Sequence, residues 1–384
     1  YWEGGNKKTD IKSKGLRKGP RDFFFRNAHL GEFFSLIEML FPWSSPSWIN
    51  VNINKNQTDH LININGHNPA SVREIGTAVD TRNYSTLTKR SKIKAFIQVQ
   101  AILSNYKKRL EVRKPVDVIK QIGAYNRPVL VGFNRVPNFN FIKNNIVFLQ
   151  PTRLMPRKRI EDGFKLIKKL FDNVDFAVKF LTNPDLKLTF LITGPIPVGQ
   201  LEYTRTLIRS FDQLLKSLSP KIRDRVYLGF LFSEFDTPKF KDRFPDTINI
   251  PALYNIASLI MLPSETEGRG LPIIESTACG IPIFCRRYYP ENVYSEVIGE
   301  HLDEKDRLKV LEFKGNVISD ELVTKISDRV FFPQNFIDEL QQNKRVVQDR
   351  YSLDSLASTM DSIIHQLHFN MSNGQNTRNE AVKA

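Results

Sequence analysis

A chain of 384 residues is too long for one small core and long enough for two α/β domains of ordinary size. With 41% hydrophobic and 25% charged residues, its composition is that of a packed globular protein and excludes a disordered or fibrous one. The formal net charge of +15 fits nucleic acid, an anionic membrane surface or a polyphosphate ligand, and does not choose among them.

Residues 1–20 are polar and basic and read as a disordered arm or an insertion. Lys7 to Arg26 alone holds eight cations against two acidic residues, so part of the charge excess is local, and a peripheral membrane contact through this arm is one use for it. Tyr1 to Arg21 lacks the apolar stretch of a signal peptide, and the missing initiator Met suggests a piece of a longer protein. An apolar-periodic helix is predicted over Leu30–Phe41, halted by Pro42. Trp48–Ile53 reads as a strand, Asn56–Asn63 as a helix ending at Gly66, and Val72–Val79 as a second strand, which together make one βαβ beat. A long helix is predicted over Ser91–Val112 with Ile93, Phe96, Ile97, Val99, Ile102 and Leu103 on a buried face. The strand Val129–Val131 closes a first domain drawn over 21–143.

From residue 144 the beat repeats more strongly. Apolar strands are predicted at Asn145–Gln150, Leu188–Thr193, Val226–Leu228, Leu259–Leu262 and Pro282–Cys285. Helices are predicted between them at Pro156–Leu170, Glu202–Leu218, Pro251–Ile256 and Pro272–Cys279. Short apolar strands alternating with amphipathic helices imply a parallel sheet covered on both faces, over a second domain of 144–350. The last helix, Leu353–Leu367, lies in a segment 351–369 expected to pack back on the first domain, and 370–384 is polar enough to be a disordered tail. No run of about 18 apolar residues occurs, so a membrane-spanning chain is not expected. Cys279 and Cys285, the two cysteines, sit in apolar surroundings without paired-ligand spacing, which suits a reducing, cytoplasmic setting. The sequons at Asn56, Asn83 and Asn370 carry little weight.

The stretch Pro263-Ser264-Glu265-Thr266-Glu267-Gly268-Arg269-Gly270-Leu271-Pro272-Ile273-Ile274-Glu275 runs from the end of a strand into a helix. Ligands of parallel sheets bind at such junctions, outside the carboxyl ends of the strands. Gly268 and Gly270 remove side chains where a ligand must approach the backbone, and Pro272 suits the start of a helix. The free amides and positive helix end would face an anion. Glu267 and Glu275 would repel a phosphate, so their useful partners are ligand hydroxyls, such as those of a sugar and a ribose. Taken alone, either Glu could equally complement a helix dipole. Upstream, Arg153 and Lys158 stand after the strand Asn145–Gln150, where two cations could neutralise a diphosphate; Arg157 and Arg159 read as solvated or secondary contacts. Lone histidines such as His29, His60 and His67 read as surface or capping residues.

These residues carry a resemblance. Glu267 to Glu275, followed by Ser276-Thr277-Ala278-Cys279-Gly280-Ile281-Pro282, resembles the E-x7-E signature of the retaining, two-domain nucleotide-sugar transferases of glycosyltransferase family 4. Arg153 and Lys158 are similar to that family's phosphate-clamp pair, and Thr193-Gly194, Val226-Tyr227-Leu228-Gly229 and Leu253-Tyr254-Asn255-Ile256-Ala257 fall in family order. The resemblance implies a GT-B fold, two Rossmann-like domains facing across a cleft with the donor on the C-terminal one. By position it assigns Glu275 to the ribose, Glu267 to the transferred sugar, Arg153 and Lys158 to the diphosphate, and the loop after Gly229 to the base. Gly194, Phe230, Leu253, Gly268, Arg269, Gly270 and Leu271 complete the donor-contact set it suggests. It further implies a retaining reaction in which the leaving phosphate takes the acceptor's proton on the same face, with no metal and no other cofactor; no D-x-D motif is present.

Two departures stand out. Arg269 replaces the usual aromatic between the two glycines, and either contacts phosphate or acceptor or turns outward. The family's opening strand, glycine-rich loop and sugar-facing His are not recognisable, while Trp48–Asp80 resembles the end of an acceptor domain, so the N-terminal domain reads as incomplete. The leading expectation is a hexosyl transfer from a UDP- or GDP-sugar to an unnamed sugar, polyol or glycan acceptor. A non-catalytic scaffold that keeps the donor pocket is the alternative, and a nucleic-acid or polyanion binder built on the arm is a further one without a supporting motif, so no nucleic-acid partner is expected.

Overall fold

The computed structural model of the protein describes residues 49–64, 67–123, 127–245 and 250–381. The predicted basic arm, the helix over Leu30–Phe41 and His29 lie outside the described residues. The chain divides into two compact units.

The smaller unit comprises residues to Asn52, Gln57–Glu74 and Ser362–Ala384. Its described strands, β1 (Asn50–Asn52) and β2 (Val72–Glu74), pair in parallel with Asn50 opposite Val72, and helix α1 (Lys55–Asn63) follows β1 in the chain. The predicted strand Val72–Val79 is therefore shorter, and Val79 instead makes an isolated bridge to Ser352. Arg73 Nε donates to Gln366 Oε1 at 2.8 Å within this unit. Gln366 sits on the closing helix Leu353–Ala381, which continues beyond the predicted end at Leu367 through the backbone of the expected tail.

The larger unit, Ile53–Asn56 and Ile75–Asp361, is built on an eight-stranded sheet. It begins with helix α2 (Lys89–Leu103), β3 (Val112–Arg113) and β4 (Val129–Val131). Then come β5 (Asn145–Gln150), α3 (Ile160–Asp172), β6 (Lys187–Ile192), α4 (Leu201–Ser217), β7 (Val226–Phe230) and α5 (Ile250–Ile256). The series ends with β8 (Leu259–Leu262), α6 (Leu271–Cys279), β9 (Ile283–Arg286) and β10 (Leu311–Phe313). The sheet order is β10-β9-β8-β5-β6-β7-β4-β3; all neighbours are parallel except β4 against β7.

β5 shows why the strands read as unbroken apolar runs. Ile146 and Phe148 enter one core, Val147 and Leu149 the other, and none of these four is more than 6% exposed. Alternate side chains of a strand point to opposite faces, so a sheet covered twice needs an apolar residue at every position. Helix α3 buries Phe164, Ile167 and Leu170 on the Ile146 side, and α6 buries Ile273 and Ile274 on the other. Among the described residues no helix is long and apolar enough to cross a membrane.

Three expectations are corrected here. The boundary at residue 143 falls inside the large unit, because β3 and β4 extend the sheet beyond β7 and α2 packs on its face. Helix α2 ends at Leu103 instead of Val112, followed by Asn105 and Tyr106 in left-handed conformations with φ of 52° and 62°. Its buried face is Ala95, Gln98, Val99, Ile102 and Leu103, while Ile93 and Ile97 are 45% and 46% exposed.

Candidate functional site

In chain order β5, β6, β7 the sheet grows in one direction, and in order β8, β9, β10 it grows in the other. The topology therefore switches between β5 and β8, and it is beyond the carboxyl ends of strands at such a switch point that open α/β sheets form a binding crevice. The loops that follow these two strands carry Arg153 and Lys158 on one side and Glu267 on the other.

After β5 the chain does not enter a continuous helix from Pro156, as predicted. Pro156–Lys158 form one 3-10 turn, Arg159 takes a left-handed conformation with φ of 47°, and only then does α3 begin. Proline presets the turn, and the left-handed residue re-aims the chain before the α-helix. Lys158 consequently stands ahead of the helix, with its carbonyl held by Gln150 Nε2 at 3.0 Å. Gln150 itself is fully buried at the end of β5.

Lys158 Nζ meets Glu267 Oε1 at 2.5 Å, and each side chain is only 11% exposed. Two further bonds tie the same loops together: Glu265 N donates to the Arg157 carbonyl at 2.9 Å, and Arg157 Nη1 donates to the Thr266 carbonyl at 3.0 Å. Arg157 is therefore a brace between the loops. Arg159 is engaged by Glu161, Asp162 and Glu265. The outer side of the Glu265–Glu267 segment is fixed by Tyr289, whose N donates to the Glu265 carbonyl at 2.7 Å and whose carbonyl accepts from Glu267 N at 3.1 Å. Arg153 is exposed at the start of the β5 loop, and among the described residues its guanidinium has no hydrogen-bond or ion-pair partner.

Gly194 and Gly270 are required by geometry. A Cβ on Gly194 would lie 2.4 Å from the Thr152 carbonyl and 2.6 Å from Arg153 N, so the turn after β6 can press against the β5 loop only as glycine. Gly270 combines φ of +60° with a would-be Cβ 2.4 Å from Tyr288 Oη, and it stands immediately before α6. Nothing lies within 4 Å of a Cβ built on Gly268, which is exposed. Leu271, the first residue of α6, is 42% exposed.

Glu275 lies just beyond the first turn of α6 and is gripped by two phenols. Tyr84 Oη donates to Oε1 at 2.9 Å, and Tyr254 Oη donates to Oε2. Both tyrosines are held well above the usual phenol pKa, by burial first and then by the Glu275 charge, so both remain proton donors. The same burial and charge push the neighbouring Cys279 thiol up to about 12. Tyr254 falls within the family-order segment Leu253 to Ala257 without any local signal of its role, and nothing in local periodicity singles out Tyr84.

The remaining candidates face the core. Gly229 and Phe230 belong to β7, which extends to Phe230 instead of ending at Leu228. A Cβ on Gly229 would meet Leu191 at 2.7 Å, and Phe230 is fully buried with its ring stacked on Phe232 at 5.5 Å. Leu253 is a core residue of α5, 6% exposed. Arg269 is 7% exposed and does not turn outward: its guanidinium pairs with Glu296 and donates to the Ile75 carbonyl at 2.8 Å. Among the described residues no cluster of His, Cys, Asp and Glu is arranged to hold a metal.

The switch point, the glycine-mediated helix start and the carboxylates around it define a Rossmann-like α/β domain, in keeping with the α/β class expected from the sequence. Residues 240–307 match the family described as glycosyl transferases group 1, and this segment contains Glu267, Gly268, Gly270 and Glu275. The resemblance read from those residues is borne out over that segment. No sequence among the curated proteins gives a match.

Among solved structures the chain is similar to HepE of Anabaena, described in complex with UDP and glucose, at 16% identity and a TM-score of 0.48, covering 83% of this chain and 62% of that one. It is also similar to a glycosyltransferase of Rickettsia africae at 13% identity and a TM-score of 0.48, covering 84% of this chain and 64% of that one. A sucrose-phosphate synthase of Thermosynechococcus elongatus is a third, at 12% identity and a TM-score of 0.43, covering 83% of this chain and 58% of that one. The chain thus spans 58% to 64% of the length of these structures.

Proposed function

We propose that the large unit binds a nucleoside-diphosphate sugar and serves a retaining glycosyltransferase. The observation that carries this reading is the Lys158–Glu267 pair across the β5–β8 crevice, at the position that the group 1 family match covers on the Glu267 side. A shielded lysine held by one carboxylate is a ready partner for a diphosphate, and a carboxylate released by that exchange is free to accept from sugar hydroxyls. Arg153 supplies the second cation from the exposed start of the same loop, and the amides at the start of α6 with its positive dipole end supply neutral donors. Glu275 takes the ribose. As the donor bond breaks, charge grows on the leaving diphosphate, where Arg153 and Lys158 stabilise it, and the leaving oxygen accepts the acceptor's proton on the same face. No protein nucleophile and no metal enters this scheme.

The base contact is reassigned to backbone and side chains after Phe230, because Gly229, Phe230 and Leu253 are occupied in the core. Arg269 is likewise withdrawn from the donor-contact set. The test is calorimetric titration of the wild type with UDP, GDP and ADP, with and without EDTA, followed by Lys158→Gln. One nucleoside diphosphate is expected to bind, indifferent to EDTA, and to lose about tenfold or more in affinity in the variant, since an ion-assisted bond is worth about 1.5–3 kcal/mol. Equal indifference to all three nucleotides would remove the reading. Transfer measured with a panel of sugar donors then separates an enzyme from a binding scaffold.

A further inference from the structure

The two hydroxyls on Glu275 point to more than a structural tether. Segment 80–88 lies along α5 and α6 and is fastened at several points. Leu87 N donates to Asn255 Oδ1 at 2.8 Å, Asn255 Nδ2 donates to the Ser85 carbonyl at 2.9 Å, and Thr86 Oγ1 donates to the Cys279 carbonyl at 3.1 Å. Tyr84 projects from this strap, and Tyr254 from α5 next to the Asn255 that fastens the strap, so one helix sets both donors. Their rings meet edge-on with centroids 6.0 Å apart, which limits how either can turn. Tyr254 is fully buried, and a buried phenol needs a partner; Glu275 Oε2 is that partner.

An ionised carboxylate offers about four acceptor sites, two on each oxygen. The tyrosines engage one site on Oε1 and one on Oε2, leaving one site on each oxygen. Two acceptors side by side on a carboxylate held in one orientation match two adjacent hydroxyls, the cis-diol of a ribose. A carboxylate free to rotate would meet a single hydroxyl almost as well as a pair. We propose that Tyr84 and Tyr254 are positioning residues that lock the Glu275 carboxylate for a vicinal diol, and thereby make the site select ribonucleoside diphosphates over their 2′-deoxy counterparts. The inference rests on the donor-binding reading above and goes one step further, from the residue that holds the ribose to the residues that set its selectivity.

The experiment measures affinity for UDP, GDP and ADP, for the 2′-deoxy form of whichever binds, and for inorganic pyrophosphate. It is run on the wild type, Tyr84→Phe, Tyr254→Phe and Glu275→Gln, with thermal melting recorded for each. Expected for the wild type is a preference of about tenfold or more for the ribonucleotide, the worth of one bond to a charged acceptor. In both Tyr→Phe variants that preference falls by about threefold or more, while pyrophosphate affinity stays within about twofold. Tyr84→Phe, half-buried, keeps the test sound if Tyr254→Phe melts too low to titrate. A wild type that binds none of the nucleotides overturns both the donor reading and this one. A wild type that prefers the ribonucleotide, with both variants preferring it equally, leaves the donor reading standing and overturns the role of the tyrosines, even where melting temperatures fall.

Discussion

Replacing Glu267 by Gln removes the charge that holds Lys158 while keeping the side chain's shape. The two groups are 2.5 Å apart and each is 11% exposed, so the lysine is largely desolvated and has this carboxylate as its ion-pair partner. A diphosphate entering the crevice must take Lys158 from Glu267 and must also approach a like charge. Without that carboxylate both costs disappear, and at the effective dielectric of a partly shielded site the change is about 1–2 kcal/mol in favour of the anion. Glu267→Gln is therefore expected to bind free UDP, or whichever nucleoside diphosphate the wild type takes, about 5- to 30-fold more tightly. The same substitution leaves a cation unpaired in the ligand-free protein, so its melting temperature falls, and saturating nucleotide recovers more stability in the variant than in the wild type. Sugar transfer, where the wild type shows it, is expected to fall sharply because the charged acceptor for the donor's hydroxyls is replaced by a neutral amide that accepts more weakly and at one oxygen only. Titration calorimetry with UDP alone reads the central step. Weaker or unchanged nucleotide binding by Glu267→Gln refutes the reasoning, because it means that Lys158 is not the group the diphosphate competes for.

Other consequences are local. Gly270→Ala puts a Cβ 2.4 Å from Tyr288 Oη at a φ of +60°, and the left-handed strain and overpacking together are expected to cost about 2–4 kcal/mol in chemical denaturation; an unchanged midpoint would contradict this. Arg269→Gln breaks the pair with Glu296, 7% and 27% exposed, and is expected to cost about 1–3 kcal/mol of stability with nucleotide affinity within about twofold of wild type; a large loss of affinity at unchanged stability would return Arg269 to the site. Arg287 clamps Glu300 with two bonds of 2.6 Å and is the first cause of its carboxyl being held down, from 4.5 to about 2. A depressed carboxyl stabilises the fold above its unfolded pKa and loses that effect as pH falls through the folded one. The stability gap between wild type and Arg287→Gln is therefore expected to be constant above about pH 4.5 and to close toward pH 2 in pH-dependent denaturation; a gap that widens in acid would invert the assignment.

What was legible in the sequence follows burial and locality. β5 and β8 lie where they were predicted, residue for residue, because strands covered on both faces must be apolar throughout and their ends are cut by polar loops. The stretch Glu267 to Glu275 was legible because glycines, a proline and spaced carboxylates at one strand-helix junction have few other uses. β4 was read as the close of another domain because its antiparallel pairing with β7, Leu130 opposite Gly229, is a contact across the chain that no local period encodes. The same blindness placed Gly229 and Phe230 in a loop: an apolar residue at a strand end reads alike whether the strand has stopped or runs on. Arg269 was misjudged in a related way, since its burial depends on Glu296 and the Ile75 carbonyl, both remote in sequence. Tyr84 and Tyr254 are brought to Glu275 from 191 and 21 residues away, and only the fold reveals that they share one carboxylate.

The account turns on where a diphosphate sits. A crystal structure of the chain with the nucleoside diphosphate that binds it is predicted to place the phosphates between Lys158, Arg153 and the start of α6, with Glu267 released and the ribose hydroxyls on Glu275. Phosphates bound elsewhere with the Lys158–Glu267 pair still closed would contradict it.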